Sequence, residues 1–447
     1  MEKIENLIFS NKDLFKLFFP LIIEQFLEFL VGLADSIMIA HVSESAVSGV
    51  ALVDFIMQFL ISLFAALATG GTVIAGQYLG KKQEKEAIET SNQLIWFIGI
   101  LSFAIMASIY ILKSVILHGL FGKISQEVYE NANIYFLIVT ASIPFLALYN
   151  SGAAVFRTMK NSKLPMQIML VMNLLNIAGN AIFVYGMKLG TIGVAIPTLI
   201  SRIGAAVGVL SFLVNKKYPL ALKKTLNYKL DKKIIKQILR IGIPYGLENG
   251  MFYFGRLIIL SLISTFGTAA IAANSVGGTI ATFEALPGMA IGFGMTVVIS
   301  RCAGVKDYDQ ARYYTKKILK IIYISFLMVS IVVLILLPAI LNIYGLSEEA
   351  TKGAYQIVWA HAFGLIIWPL AYTLPVTFRA SGDARFPMIV SMTSMILCRI
   401  LLAFIFGIYF NMGILGTWAA MFVDWIIKAI IFTWRYLSEK WTKFHAV

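Results

Sequence analysis

TGGTVIAGQYLGKK (69–82) and FGMTVVISRCAGVK (293–306) are two versions of one pattern. At an offset of 224 residues, Gly70/Gly294, Thr72/Thr296, Val73/Val297, Gly80/Gly304 and Lys82/Lys306 are identical. The same offset sets Pro20 on Pro244 and Glu24 on Glu248. At an offset of 222, FRTMKNSKLPM (156–166) lies over FRASGDARFPM (378–388). Matches in one order at near-constant spacing mark an internal duplication, a construction common in membrane transporters.

Each copy carries six long apolar runs. The 447-residue chain is 59% apolar and 13% charged, with a mean hydropathy of +0.82. Soluble domains carry about 25% charged residues, so a set of soluble domains is excluded. Spans are predicted near 14–40, 50–79, 91–112, 131–156, 163–186 and 192–214, then 241–265, 271–300, 313–340, 354–378, 386–409 and 412–434. A helix needs ~20 apolar residues to cross a bilayer, and runs of this length favour helices over the short alternating strands of a barrel. The expectation is an all-α polytopic membrane protein of two six-helix lobes: residues 1–215, a basic linker at 216–240, and residues 241–447. Six spans per copy insert both copies the same way up, so their pseudo-two-fold axis runs along the membrane normal. The first run contains Glu24, Glu28 and Asp35 and is too long for a signal peptide, so it is read as a retained span.

Of the 37 basic residues, only Lys113, Lys123, Lys188 and Lys352 fall in one set of loops, and Arg202, Arg256, Arg399 and Lys428 fall within spans. The remaining 29 lie on the side that carries both termini. Basic residues collect in cytoplasmic loops, so both termini and the linker are expected in the cytoplasm of a cell with this protein in its plasma (inner) membrane. The net charge of +14 then has a topological explanation and does not call for nucleic acid. Cys302 and Cys398 form no CxxC or Cys/His motif, so no disulfide or metal framework follows. The four histidines, His41, His118, His361 and His445, are scattered, and there is no HExxH, so an enzyme is not expected.

Acids inside spans are costly and are functional candidates. Seven lie in or at the edges of spans: Glu24, Glu28, Asp35, Asp54, Glu248, Glu284 and Asp424. In the first span Glu28 sits about 40° from Glu24, and Asp35 about 20° from it, so the three share one stripe. In the fifth span Asn173, Asn176 and Asn180 share a face, and the sixth adds Thr198 and Ser201. Counted from the outer ends, Asp35, Asn180 and Thr198 all lie roughly 8–9 Å deep. A carboxylate, amide oxygens and a hydroxyl at one depth suit a hard cation or a protonatable carboxylate. A polar clamp between helices is the competing reading.

The second copy lacks this acid, because Asp35 aligns with Ile259. Its seventh span reads GIPYGLENGMFYFGR (242–256), with Glu248 and Arg256 about 80° apart around the helix. These two, together with Glu284 of the eighth span, are read either as a structural ion pair or as a substrate-binding face. Glu24 and Glu28 are further cavity candidates. Asp424 and Lys428 are read as a local i, i+4 pair, and Asp54 as a solvated acid near the outer mouth.

ADSIMIAH (34–41), GQYLGKKQ (76–83), NLLNIAGNAIFVYG (173–186) and FRASGDARFPM (378–388) resemble the multidrug and toxic compound extrusion (MATE) family, in that family's order and spacing. The resemblance covers essentially the whole chain. It implies twelve helices in two lobes around a central cavity. It also implies antiport of amphiphilic, usually cationic compounds against sodium ions or protons, with no other cofactor and no obligate protein partner. The family's first-lobe cation site resembles Asp35, Asn176, Asn180 and Thr198. Some relatives carry a second Asp where this chain has Asn180, so this pocket has one formal negative charge. Others use acids on spans 7 and 10; here span 7 offers Glu248 and span 10 has none. A lipid-linked oligosaccharide flippase of the same superfamily is the alternative. It calls for a strongly basic cavity, for which Arg202, Arg256 and Arg399 are the candidates.

Overall fold

A computed structural model describes residues 7–121, 125–223 and 229–447. Every regular element among the described residues is helical. The first repeat contributes α1 (Asn11–Ala40), α2 (Glu44–Gly80), α3 (Glu84–Ile111), α4 (Gln126–Thr140 and Ile143–Thr158), α5 (Lys163–Asn180, continued by a π-helical turn over Ala181–Gly186) and α6 (Ile192–Leu213). The second contributes α7 (Lys232–Ser264), α8 (Thr268–Gly304), α9 (Tyr308–Tyr344), α10 (Glu348–Gly364 and Pro369–Ser381), α11 (Arg385–Tyr409) and α12 (Gly413–Leu437).

Among the described residues nine helices are long and apolar enough to cross a membrane, or eleven when each of two bent pairs counts as one span. The remaining predicted span falls on α7, whose 33 residues are interrupted by Glu248, Asn249 and Arg256. The two bent spans are the fourth of each repeat. The halves of α4 meet at 48° and those of α10 at 63°. Pro144 and Pro369 stand just after the breaks, where a residue without an N–H cannot continue the preceding helix. The fifth span of each repeat departs in a different way: α11, like α5, contains π-helical turns, over Met395–Ile400 and Ile405–Tyr409.

Five helix starts are fixed by a capping side chain. Ser10 and Asp13 form a reciprocal capping box at α1. Ser43, Ser125, Asp307 and Ser347 accept from the first free N–H groups of α2, α4, α9 and α10. The duplication extends to the backbone. Lys82 and Lys306 both turn at φ 59°, and Lys160 at 65° matches Gly382 at 111°. A non-glycine residue at positive φ is uncommon, so one turn with the same lysine in both copies is a structural repeat as well as a sequence repeat.

The chain divides into two compact units, Ser10–Gly242 and Ile243–Val447, with Phe9 belonging to the second. The division lies within α7, two residues beyond the boundary expected from sequence, because the first turns of α7 pack closely on α2. A Cβ on Gly70 would come within 2.5 Å of the Ile238 carbonyl oxygen, so only glycine admits that approach. Phe9 is fully buried in the second unit, where its N–H donates to the Tyr314 hydroxyl at 2.8 Å. The expected linker is fastened to the first unit on both sides of residues 224–228, which lie outside the described residues. The Lys223 N–H donates to Asn92 Oδ1 at 2.9 Å, and the Asp231 N–H to Gln93 Oε1 at 2.9 Å.

Candidate functional site

In the first unit α5 lies against α1 and α6. Three asparagines on one face of α5 make the polar seam. Asn173 Nδ2 donates to the Leu27 carbonyl of α1 at 3.0 Å. Two turns further along, Asn180 Nδ2 donates to Asp35 Oδ1 at 2.5 Å. The same amide donates to Asn176 Oδ1 at 3.2 Å, and Asn176 Nδ2 reaches Thr198 Oγ1 of α6 at 3.2 Å. Asp35, Asn180 and Thr198, read from depth, therefore form one hydrogen-bonded row with Asn176 across three helices. Ser201 does not join it and bonds to the Thr198 carbonyl of its own helix.

Local features set this row. Gly179 faces Pro197, and a Cβ there would lie 2.9 Å from the proline ring. The glycine lets α5 and α6 close together beside Thr198. Asn180 is the last residue before the π-helical turn, a distortion often found at functional positions. It is fully buried, and its Oδ1 has no hydrogen-bond partner. Asn176 and Thr198 are also buried, whereas Asp35 is half-buried. The row thus presents a carboxylate next to a buried amide oxygen with unused acceptor capacity.

The remaining acids fall into two groups. Asp54 is held by the buried Tyr135, whose hydroxyl donates to Oδ1 at 3.0 Å, so it is not simply solvated. Glu28 is exposed and accepts only from Gln25 of its own helix, at 3.0 Å. Neither they nor Asp35 has a basic partner within ion-pair distance among the described residues.

The other four are paired inside their own units. Glu24 is buried and accepts from Arg157 at 2.8 Å and from Tyr149 at 3.0 Å. Glu248 accepts from Arg379 at 3.0 Å and from Ser391 at 2.9 Å. Of the two readings of Glu248 and Arg256, the ion pair between them is not formed, since the face of α7 that carries Glu248 meets Arg379 of α10 and Ser391 of α11. Glu284 is fully buried on His361 of α10, at 2.6 Å, and does not join Glu248. Asp424 pairs with Lys428 at 2.9 Å as expected and also accepts from Ser394 at 2.5 Å. Sequence reading missed Arg157, Arg379, Tyr149, Tyr135 and His361. The signal for the two arginines was present: the FR dipeptides at 156–157 and 378–379 repeat at nearly the offset of Glu24 and Glu248.

A family model described as MatE matches twice along the chain, over residues 20–182 and 244–405. The chain belongs to the MatE family. The two matches coincide with the two copies of the duplication. MatE proteins are transporters, so this is a membrane-integral transporter. The uncharacterized transporter YisQ of Bacillus subtilis is 29% identical over 440 residues, 96% of this chain and 94% of the relative. The probable multidrug resistance protein NorM of Thermotoga maritima is 25% identical, over 97% and 93% of the two chains. Crystal structures of MATE in the straight and bent conformations share this fold, with TM-scores of 0.88 and 0.86 at 20% identity, each over 97% of this chain and 96% of the other.

Proposed function

We propose that this MatE protein is a cation-coupled antiporter of the plasma (inner) membrane, with cytoplasmic termini, that exports amphiphilic cationic organic compounds by alternating access. The observation that carries the reading is the pairing of Asp35 with Asn180, whose buried Oδ1 lacks a donor. A buried acceptor without a partner costs about 1–3 kcal/mol. A sodium ion beside Asp35 would satisfy it by direct coordination. A proton on Asp35 would satisfy it by turning the carboxyl into a donor. Asn176 Oδ1 and Thr198 Oγ1 complete an oxygen set suited to either ion.

One formal charge at the row calls for one monovalent cation per cycle. Bound cation replaces the Asn180 N–H at Asp35, loosening the link between α5 and α1 that the empty site makes. A ligand shifts a conformational equilibrium only by its differential affinity for the two states, and this exchange of partners supplies such a difference. Organic cations would be drawn by Glu28, Asp35 and Asp54, three acids without a basic side chain in ion-pair distance among the described residues. The relatives named for multidrug resistance support small-molecule cargo. Three acids against the one arginine near them, Arg202, support export of cations over flipping of a pyrophosphate-linked lipid.

The test is uptake of a cationic dye into liposomes containing purified protein, with sodium and proton gradients imposed separately. Wild type should concentrate the dye under at least one gradient, and Asp35→Asn under neither. Uphill transport by Asp35→Asn would remove the coupling site from this row.

A further inference from the structure

Once the paired acids are set aside, the charges left within the spans differ between the two units. The first unit keeps the acids Glu28, Asp35 and Asp54 together with Arg202, whose guanidinium donates to the Ser142 hydroxyl at 2.8 Å and is near enough for its charge to act on all three. The second keeps Arg256 on α7 and Arg399 on the π-helical turn of α11, neither with an acid in ion-pair distance among the described residues. The acids of that unit are committed elsewhere: Glu248 to Arg379, Glu284 to His361 and Asp424 to Lys428.

The two arginines belong to one place. Gly255 lets α7 pack onto Met395, where a Cβ would meet the sulfur at 2.5 Å. One turn on from Met395, Arg399 reaches back to α7, with its guanidinium 5.5 Å from the centre of the Phe252 ring. Arg256 follows Phe252 by one turn of the same helix and is close enough to feel the charge of Arg399. Arg256 is an exposed residue and Arg399 a half-buried one. A guanidinium stays charged under all ordinary conditions. Two of them within membrane-spanning helices, repelling each other and without a carboxylate in ion-pair distance among the described residues, leave a positive charge that no described ion pair takes up.

We propose that Arg256 and Arg399 form an anion subsite that takes the carboxylate or phosphate of an amphiphilic molecule, with Phe252 as its apolar floor. A planar guanidinium offers paired N–H donors that match either group. This deepens the export reading, on which it rests for the identity of the ligand: the molecules that use the subsite carry an anionic group besides a cationic amine. The headgroup phosphate of a membrane lipid has the same chemistry and is the other source of such an anion.

The experiment compares a rhodamine carboxylic acid with its methyl ester, by fluorescence polarisation, on full-length protein in maltoside micelles free of phosphate. Wild type should bind the acid more tightly than the ester. Arg256→Gln and Arg399→Gln should each weaken acid binding by about tenfold, the value of one charge-assisted hydrogen bond, and leave the ester unchanged. Arg399→Lys keeps the charge without the fork and should fall between, which separates lost recognition from lost folding. Displacement of the acid by a short-chain phosphatidic acid, and not by the matching diacylglycerol, would show that lipid phosphate shares the subsite; failure to displace reserves it for the solute. Equal binding of acid and ester, unaltered by either Gln variant, would overturn the proposal. Export of the ester under an imposed gradient tests the export reading alone: if it fails while the acid–ester difference persists, the export reading falls and the subsite stands.

Discussion

Arg157 donates to Glu24 across 2.8 Å in the first unit, and the same contact recurs in the second, where Arg379 donates to Glu248 across 3.0 Å. Both acids come from the first helix of a repeat and both arginines from its bent fourth helix. Tyr149 joins the first pair through Glu24, whereas the Tyr245 ring lies 4.3 Å from the guanidinium carbon of Arg379 in the second. A contact kept through duplication, with different aromatic neighbours in each copy, acts as a helix clamp. The bent span is thereby held to the span that carries, in the first unit, Asp35.

Breaking a clamp should cost stability more than transport specificity. Removing one partner of a buried pair leaves an uncompensated charge, typically a loss of about 3–5 kcal/mol. Arg157→Met and Arg379→Met should each lower the melting temperature of the purified protein. Glu248→Leu combined with Arg379→Met should recover most of the loss, because no charge is then left unpaired. Glu248→Leu with Arg256→Met should not recover it. Differential scanning fluorimetry on the single and double variants decides between the two pairings.

At the Asp35 row, Asp35→Asn should insert and fold, since an amide can accept the Asn180 hydrogen bond that the carboxylate now takes. It should lose gradient-driven accumulation. Asn180→Asp places a second acid against Asp35, and like charges in contact resist joint ionisation. That variant should keep part of its transport with an altered dependence on pH or sodium. Transport assays at matched protein levels across both gradients read these outcomes.

Gly179→Ala tests the close approach of α5 and α6. The added methyl would stand 2.9 Å from the Pro197 ring, which cannot swing away. Overpacking of this kind costs roughly 1–3 kcal/mol. The helices should separate beside Thr198, weakening the row while the second unit is untouched. Coupled transport should fall, and binding of the rhodamine acid at Arg256 and Arg399 should remain.

Orientation can be read at Lys217, an exposed residue just beyond α6. With the basic loops in the cytoplasm, Lys217→Cys should resist a membrane-impermeant thiol reagent applied to intact cells and react after lysis. Ready labelling from outside would invert the topology.

The helices, the duplication and the composition of the hydrogen-bonded row at Asp35 were legible in the sequence. Apolar runs fix where helices cross lipid because unpaired backbone groups are too costly there. Depth along a straight helix follows from residue count, so counting alone sets Asp35, Asn180 and Thr198 at matching levels, with Asn176 one turn deeper. Counting along one helix does not say which neighbour its face meets. Glu248 and Arg256 share a helix, yet the partner of Glu248 is Arg379, brought in by the packing of α7 against α10. The hold of Tyr135 on Asp54, the burial of Glu284 against His361 and the nearness of Arg399 to Phe252 are likewise products of helix packing. Each joins residues more than 75 positions apart in the chain. Periodicity is a property of one helix, whereas charge neutralisation inside the membrane depends on contacts between helices, and only the tertiary structure decided which charges were left over.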